Sequence, residues 1–112
     1  MRMKLKPGLK LLAETVGLGD LIARGDCASV RLRATLSRGD VVDVSHVEQV
    51  TLGQRRVIPG VEYALEGMRV GGIRKVRISP HLAYGDRGIE RRIPPNATLI
   101  YDLELLELCN AG

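Results

Sequence analysis

The stretch VIPGVEYALEGMRVGGIRKVRISPHLAYGDRGIERRIPPNATLIYDLEL, Val57 to Leu105, decides the fold, because a helix, two strands and several punctuated loops can be read from it in order. Pro59 presets a helical φ at the start of a helix expected to run to about Met68, along which Val61, Leu65 and Met68 recur at helical spacing. That gives one apolar face for docking on a sheet. Gly71-Gly72 ends the segment. Ile73 to Ile78 then reads as a strand with Val76 and Ile78 inward. Leu99 to about Leu108 reads as another, in which Leu99, Tyr101, Leu103 and Leu105 alternate with Ile100, Asp102, Glu104 and Leu106.

Working outward, Cys27 to Leu36 also alternates, with Val30, Leu32, Ala34 and Leu36 on one face and Ser29, Arg31, Arg33 and Thr35 on the other. Ser37-Arg38-Gly39-Asp40 is a turn and Val41 to Val44 a short strand, so the pair reads as a hairpin. A polar connection follows, and Val50 to Leu52 is expected to form a further brief strand. Gly17, Gly19 and Gly25 mark turns rather than a phosphate cradle, since the third glycine of a dinucleotide fingerprint is missing and no Lys-Ser or Lys-Thr follows. Several strands and one short helix imply an α+β domain. A core over about residues 9–108 is expected, with flexible ends at 1–6 and 110–112.

The chain has 112 residues, 45% of them apolar, which suits one core rather than two. Three Tyr are its only aromatics, so the core is built from Leu, Val, Ile and Ala and any pocket should be aliphatic. The net charge of +4 is spread over short Arg and Lys clusters with almost no aromatic side chains between them for base stacking. Nucleic acid is therefore an unlikely partner. The first twelve residues lack the continuous apolar run of a signal peptide, and no segment approaches membrane-spanning length. Cytoplasmic localisation is the default, with Cys27 and Cys109 expected as free thiols. His46, His81, Ser45 and Ser79 stand in no triad or metal-ligand cluster, so each His is expected to be solvated and neither a metal nor a cofactor is implied.

The motifs Val57-Ile58, Gly60, Met68, Gly71, Ile78-Ser79-Pro80, Ala83-Tyr84-Gly85, Ile93-Pro94-Pro95, Ala97-Thr98-Leu99 and Asp102 to Leu105 resemble the C-terminal half of an FK506-binding-protein (FKBP) domain. The resemblance implies an antiparallel twisted sheet of about five strands wrapped around one short α-helix, in a single domain over residues 1–112. It implies peptidyl-prolyl cis-trans isomerisation of X-Pro bonds in peptides and unfolded chains, without a cofactor. Carried over residue by residue, the family's pocket falls on Leu32, Val42, Asp43, Val57, Ile58, Val61, Tyr84, Ile93 and Tyr101, with Ile89 near the rim. The Ile58 N–H and the Tyr84 hydroxyl are the implied donors to a bound peptide. Asp43, between Val42 and Val44, reads from its neighbours alone as either buried or turned outward, and the resemblance places it inward. Its alternative role is to bond local backbone and hold the hairpin.

Four aromatic positions of the family pattern are lost, at Leu32, at Val42, at Val61 and within His46 to Val50, while Tyr101 keeps a ring where Phe is usual. A wider, more aliphatic pocket follows, with modest activity and weak or no binding of the family's macrolide inhibitors. A second reading keeps the fold and the cleft but not the chemistry, as a prolyl-peptide or protein-interaction module. Arg87, Arg91 and Arg92 flank the loop over the cleft and suggest a preference for acidic residues near the substrate proline; a solvated loop is the plain alternative. The segment Ser45 to Arg56 is too short for the inserted domain of chaperone-type members, so a monomer is expected.

Overall fold

Five strands and one seven-residue helix make up the computed structural model of the chain, which describes residues 6–109. Strands β1 (Leu9–Thr15), β2 (Cys27–Leu36) and β3 (Val41–Thr51) precede helix α1 (Pro59–Leu65). Strand β4 (Ile73–Ile78), a 3-10 turn (Pro80–Leu82) and β5 (Leu99–Leu108) complete the order. All neighbours pair antiparallel in one sheet ordered β1-β4-β5-β2-β3. The α+β reading holds.

The alternating strands explain why the sheet has one dry face. Val30, Leu32, Ala34 and Leu36 of β2, Val76 and Ile78 of β4 and Leu99, Tyr101, Leu103 and Leu105 of β5 are all buried and meet Val61, Ala64 and Leu65 of α1. Pro59 sits in the first turn of that helix, and buried Gly60 lets it lie close on β4, since any side chain there would run into Ile78. Arg74 is also buried on this face, at 3% exposure. Its guanidinium donates to the carbonyls of Ala64 at 2.9 Å and Glu66 at 2.7 Å and to the Glu14 carboxylate at 2.6 Å. One side chain thus ties the helix end to β1 and β4.

Three expectations need correction, and one strand was not anticipated. The helix stops at Leu65 rather than near Met68, because Gly67 takes φ 82° and turns the chain, leaving Met68 buried beyond the helix. The expected strands at Val41 to Val44 and Val50 to Leu52 are one 11-residue strand, paired with β2 through the polar stretch between them. An edge strand tolerates such residues because they reach solvent. Strand β1 went unread for a similar reason: only Leu9 in it is fully buried, and a register shift between Leu11 and Ala13 breaks its alternation. Finally, Cys27 and Cys109 are joined in a disulfide, not free, since the start of β2 and the end of β5 lie side by side with Cα atoms 5.2 Å apart. Of the expected flexible ends at 1–6 and 110–112, residues 1–5 and 110–112 lie outside the described residues, whereas Lys6 places its ammonium 5.3 Å from the centre of the Tyr63 ring.

Candidate active site

Between β3 and the entry to α1 lies a cavity of about 340 Å³. Leu32 of β2, Val57, Ile58 and Val61 around the helix start, and Tyr101 of β5 give it an apolar lining. Tyr84 reaches it from the loop after the 3-10 turn, and Asp43 from β3. Seven of the ten residues read from the sequence therefore converge. The other three, Val42, Ile89 and Ile93, line a neighbouring groove instead.

The reason for that division is the backbone of β3. Its register against β2 shifts between Leu32 and Ala34 and again between Ala34 and Thr35, so β3 carries extra residues opposite β2. Such bulges re-aim side chains. Adjacent Val42 and Asp43 are both half-buried, one on the groove and the other on the cavity. Asp43 thus lies inward, as the resemblance implied, and Arg92 Nη2 donates to its Oδ1 at 2.9 Å.

Each polar group of the cavity has a definite setting. Ile58 stands at the N-cap with φ −59° and ψ 149°, and among the described residues its N–H has no hydrogen-bond partner. Its carbonyl, by contrast, accepts from the Val61 N–H at 3.0 Å. Tyr101 is 4% exposed and shares the cavity wall with Tyr84. Burial, then the neighbouring Tyr84, pushes the Tyr101 phenol well above its ordinary pKa, so it stays a neutral O–H. The Tyr84 loop is pinned by Gly85 N–H to the Pro80 carbonyl at 2.8 Å and by Gly88 N–H to the Tyr84 carbonyl at 3.1 Å. Gly88 has φ 63°, and a side chain there would run into the Ile93 carbonyl.

Three lining residues were missed from sequence: Glu48, Arg55 and Arg56, which make the mouth charged rather than purely aliphatic. Cross-strand partners share a face, and Glu48 opposes buried Val30, so reading β3 as continuous would have found it. Arg55 and Arg56 immediately precede Val57, and that adjacency was their only signal. Arg55 holds φ 59°, uncommon for a residue with a side chain. The Glu62 carboxylate fixes it, accepting from the Arg55 N–H at 2.6 Å and the Gly53 N–H at 3.1 Å. His46 is half-buried and engaged, with Nδ1 2.9 Å from the Val44 carbonyl and Nε2 2.8 Å from Glu48. Among the described residues no cluster of three His, Cys, Asp or Glu could hold a metal ion, and no helix is long and apolar enough to cross a membrane.

The cavity thus joins an apolar wall of Leu32, Val57, Ile58 and Val61 to a charged mouth, with the Ile58 N–H unengaged among the described residues. Comparison with known proteins is decisive on ancestry: the profile of the FKBP-type peptidyl-prolyl cis-trans isomerases matches residues 19–106. The chain belongs to the FKBP family. Among FKBP relatives, FK506-binding protein 2 of Yarrowia lipolytica is 47% identical over 94 residues, covering 80% of this chain and 65% of that protein. FK506-binding protein 1A of Neurospora crassa is 38% identical over 104 residues, 88% of this chain and 87% of the relative. FK506-binding protein 4 of Chaetomium thermophilum is 38% identical over 109 residues, 95% of this chain but 22% of that longer protein. The chain thus spans about two thirds of the first FKBP and under a quarter of the last.

Proposed function

We propose that this FKBP domain is a peptidyl-prolyl cis-trans isomerase acting on X-Pro bonds of peptides and unfolded polypeptides. The observation that carries the reading is the convergence of Leu32, Asp43, Val57, Ile58, Val61, Tyr84 and Tyr101 on one cavity. Rotation about the prolyl bond faces a barrier of roughly 18–20 kcal/mol, set by amide resonance. No bond breaks, so neither a nucleophile nor proton transfer is needed. The twisted amide has lost resonance and carries less charge on its carbonyl oxygen, and the apolar wall of the cavity disfavours it less than the planar form.

In this reading the proline ring lies against Val61 and Leu32, while the Ile58 N–H and the Tyr84 hydroxyl donate to substrate carbonyls. Tyr101, kept neutral by burial, places no charge beside that Tyr84 donor. Asp43, held by Arg92, sets the field around the turning carbonyl. The missing aromatics argue for modest activity and for weak binding of FK506-type macrolides. They also support the second reading, a prolyl-binding module without catalysis.

Exchange NMR on Ala-Leu-Pro-Phe separates the two. Accelerated cis/trans exchange, reduced in Asp43→Ala and Tyr84→Phe, is the expected result. Shifted peptide signals with unchanged exchange would instead establish the binding module.

A further inference from the structure

Next to the cavity lies a larger groove, of about 550 Å³, between the β2-β3 hairpin and the 87–95 loop. Leu36, Val42, Ile89 and Ile93 give it an apolar bed. Four guanidinium groups, of Arg38, Arg87, Arg91 and Arg92, stand around it against two carboxylates, Asp40 and Glu90. Two of the four are already engaged, Arg38 by Asp40 and Arg92 by Asp43. Among the described residues neither Arg87 nor Arg91 pairs with a carboxylate, and both are exposed.

The loop presenting these two is stiff. The Ile89 and Ile93 backbones exchange two hydrogen bonds of 2.8 Å each, and Arg91 between them holds φ 66°, a conformation a side-chain-bearing residue rarely adopts. Residues held in such sparsely populated backbone regions cluster at ligand-binding positions. The groove adjoins the cavity directly, because Val42 lines one and Asp43 the other, and the Asp43-Arg92 pair forms the ridge between them. An extended peptide advances roughly 3.3 Å per residue. The groove is therefore within reach of the residues flanking a proline held in the cavity.

We propose that this groove is a substrate subsite which selects Asp or Glu within about three residues of the substrate proline, through Arg87 and Arg91. The proposal rests on the prolyl-substrate reading of the adjoining cavity. An acidic peptide fits better than a nucleic acid because the groove is lined by Ile, Val and Pro and offers no aromatic face for a base. Arg92 is not part of the selecting pair, since its charge is met by Asp43.

The test is a titration of the isotope-labelled protein with Ala-Ala-Leu-Pro-Phe-Ala and with versions carrying Glu, Gln or Lys at the flanking alanines. The Glu peptides are expected to bind about three- to tenfold tighter than the Gln peptides, the scale of two partly exposed charge pairs. That margin should shrink in 0.5 M salt, where screening acts within about 4 Å. Arg87→Glu/Arg91→Glu should erase it and leave the affinity of the unsubstituted peptide unchanged. Equal binding of the Glu and Gln peptides overturns the proposal, as does a Glu preference that survives in the double variant. Selective binding without accelerated exchange would overturn the isomerase reading alone; no binding of any peptide would overturn both.

Discussion

Tyr101 and Tyr84 share the cavity wall, and the two hydroxyls are expected to respond unequally to removal. Tyr101→Phe takes away a buried donor, leaves an apolar ring where apolar atoms already surround it, and should change stability by less than about 1 kcal/mol in urea unfolding. Tyr84→Phe removes a hydroxyl from a half-buried ring and should likewise change stability by less than about 1 kcal/mol. It should also slow catalysed exchange by about two- to tenfold, the worth of one hydrogen bond. His46 is the other residue with a testable setting. The Val44 carbonyl, then the Glu48 carboxylate, raises its pKa above the ordinary 6.5, because both ring nitrogens face acceptors and the doubly protonated ring satisfies both. The folded-state pKa is the higher one, so the contribution is complete below pH 6.5 and is lost as pH rises through the folded value. NMR titration should place the His46 midpoint above 6.5 in the wild type and closer to it in Glu48→Gln.

At the scale of elements, Arg74 joins helix and sheet, and Arg74→Ala should destabilise by about 3 kcal/mol, since it orphans Glu14 and two carbonyls at once. Urea unfolding measures the loss, and exchange per folded molecule should hold. What could be read in advance follows the same division between inner and outer elements. Strands β4 and β5 alternate cleanly because each has paired neighbours on both sides and one face on the core beside α1, so burial writes the period of two into the sequence; central β2 alternates only through its middle, since Ser29 and Thr35, read as outer-face residues, are buried too. The edge strands β1 and β3 have only one neighbour, and their composition is correspondingly loose. Arg74 itself lies on the buried face at the proper spacing, yet a lone cation among strand residues gives no sign that carbonyls wait for it. The site was legible where a motif fixed a residue, as at Ile58 and Tyr84. It was not where two bulges decide which of Val42 and Asp43 serves the cavity, because register shifts leave no residue type behind them.

For the molecule as a whole, the Cys27-Cys109 bridge closes a loop of 82 residues that holds every strand except β1. Chain-entropy arguments give such a loop about 4.5 kcal/mol of stabilisation. Thermal unfolding with and without dithiothreitol should show a clear drop in Tm on reduction for the wild type and no response for Cys109→Ser. The order of strands carries a different consequence. Strand β5 is last in the chain but central in the sheet, holding β4 on one side and β2 on the other. Until Leu99–Leu108 has left the ribosome, the β1-β4 and β2-β3 pairs are two separate halves with no common wall. Synthesis at roughly 5–20 residues per second therefore keeps the earlier strands waiting for several seconds with their apolar faces uncovered. A protein proposed to serve unfolded chains must spend its own first moments as one.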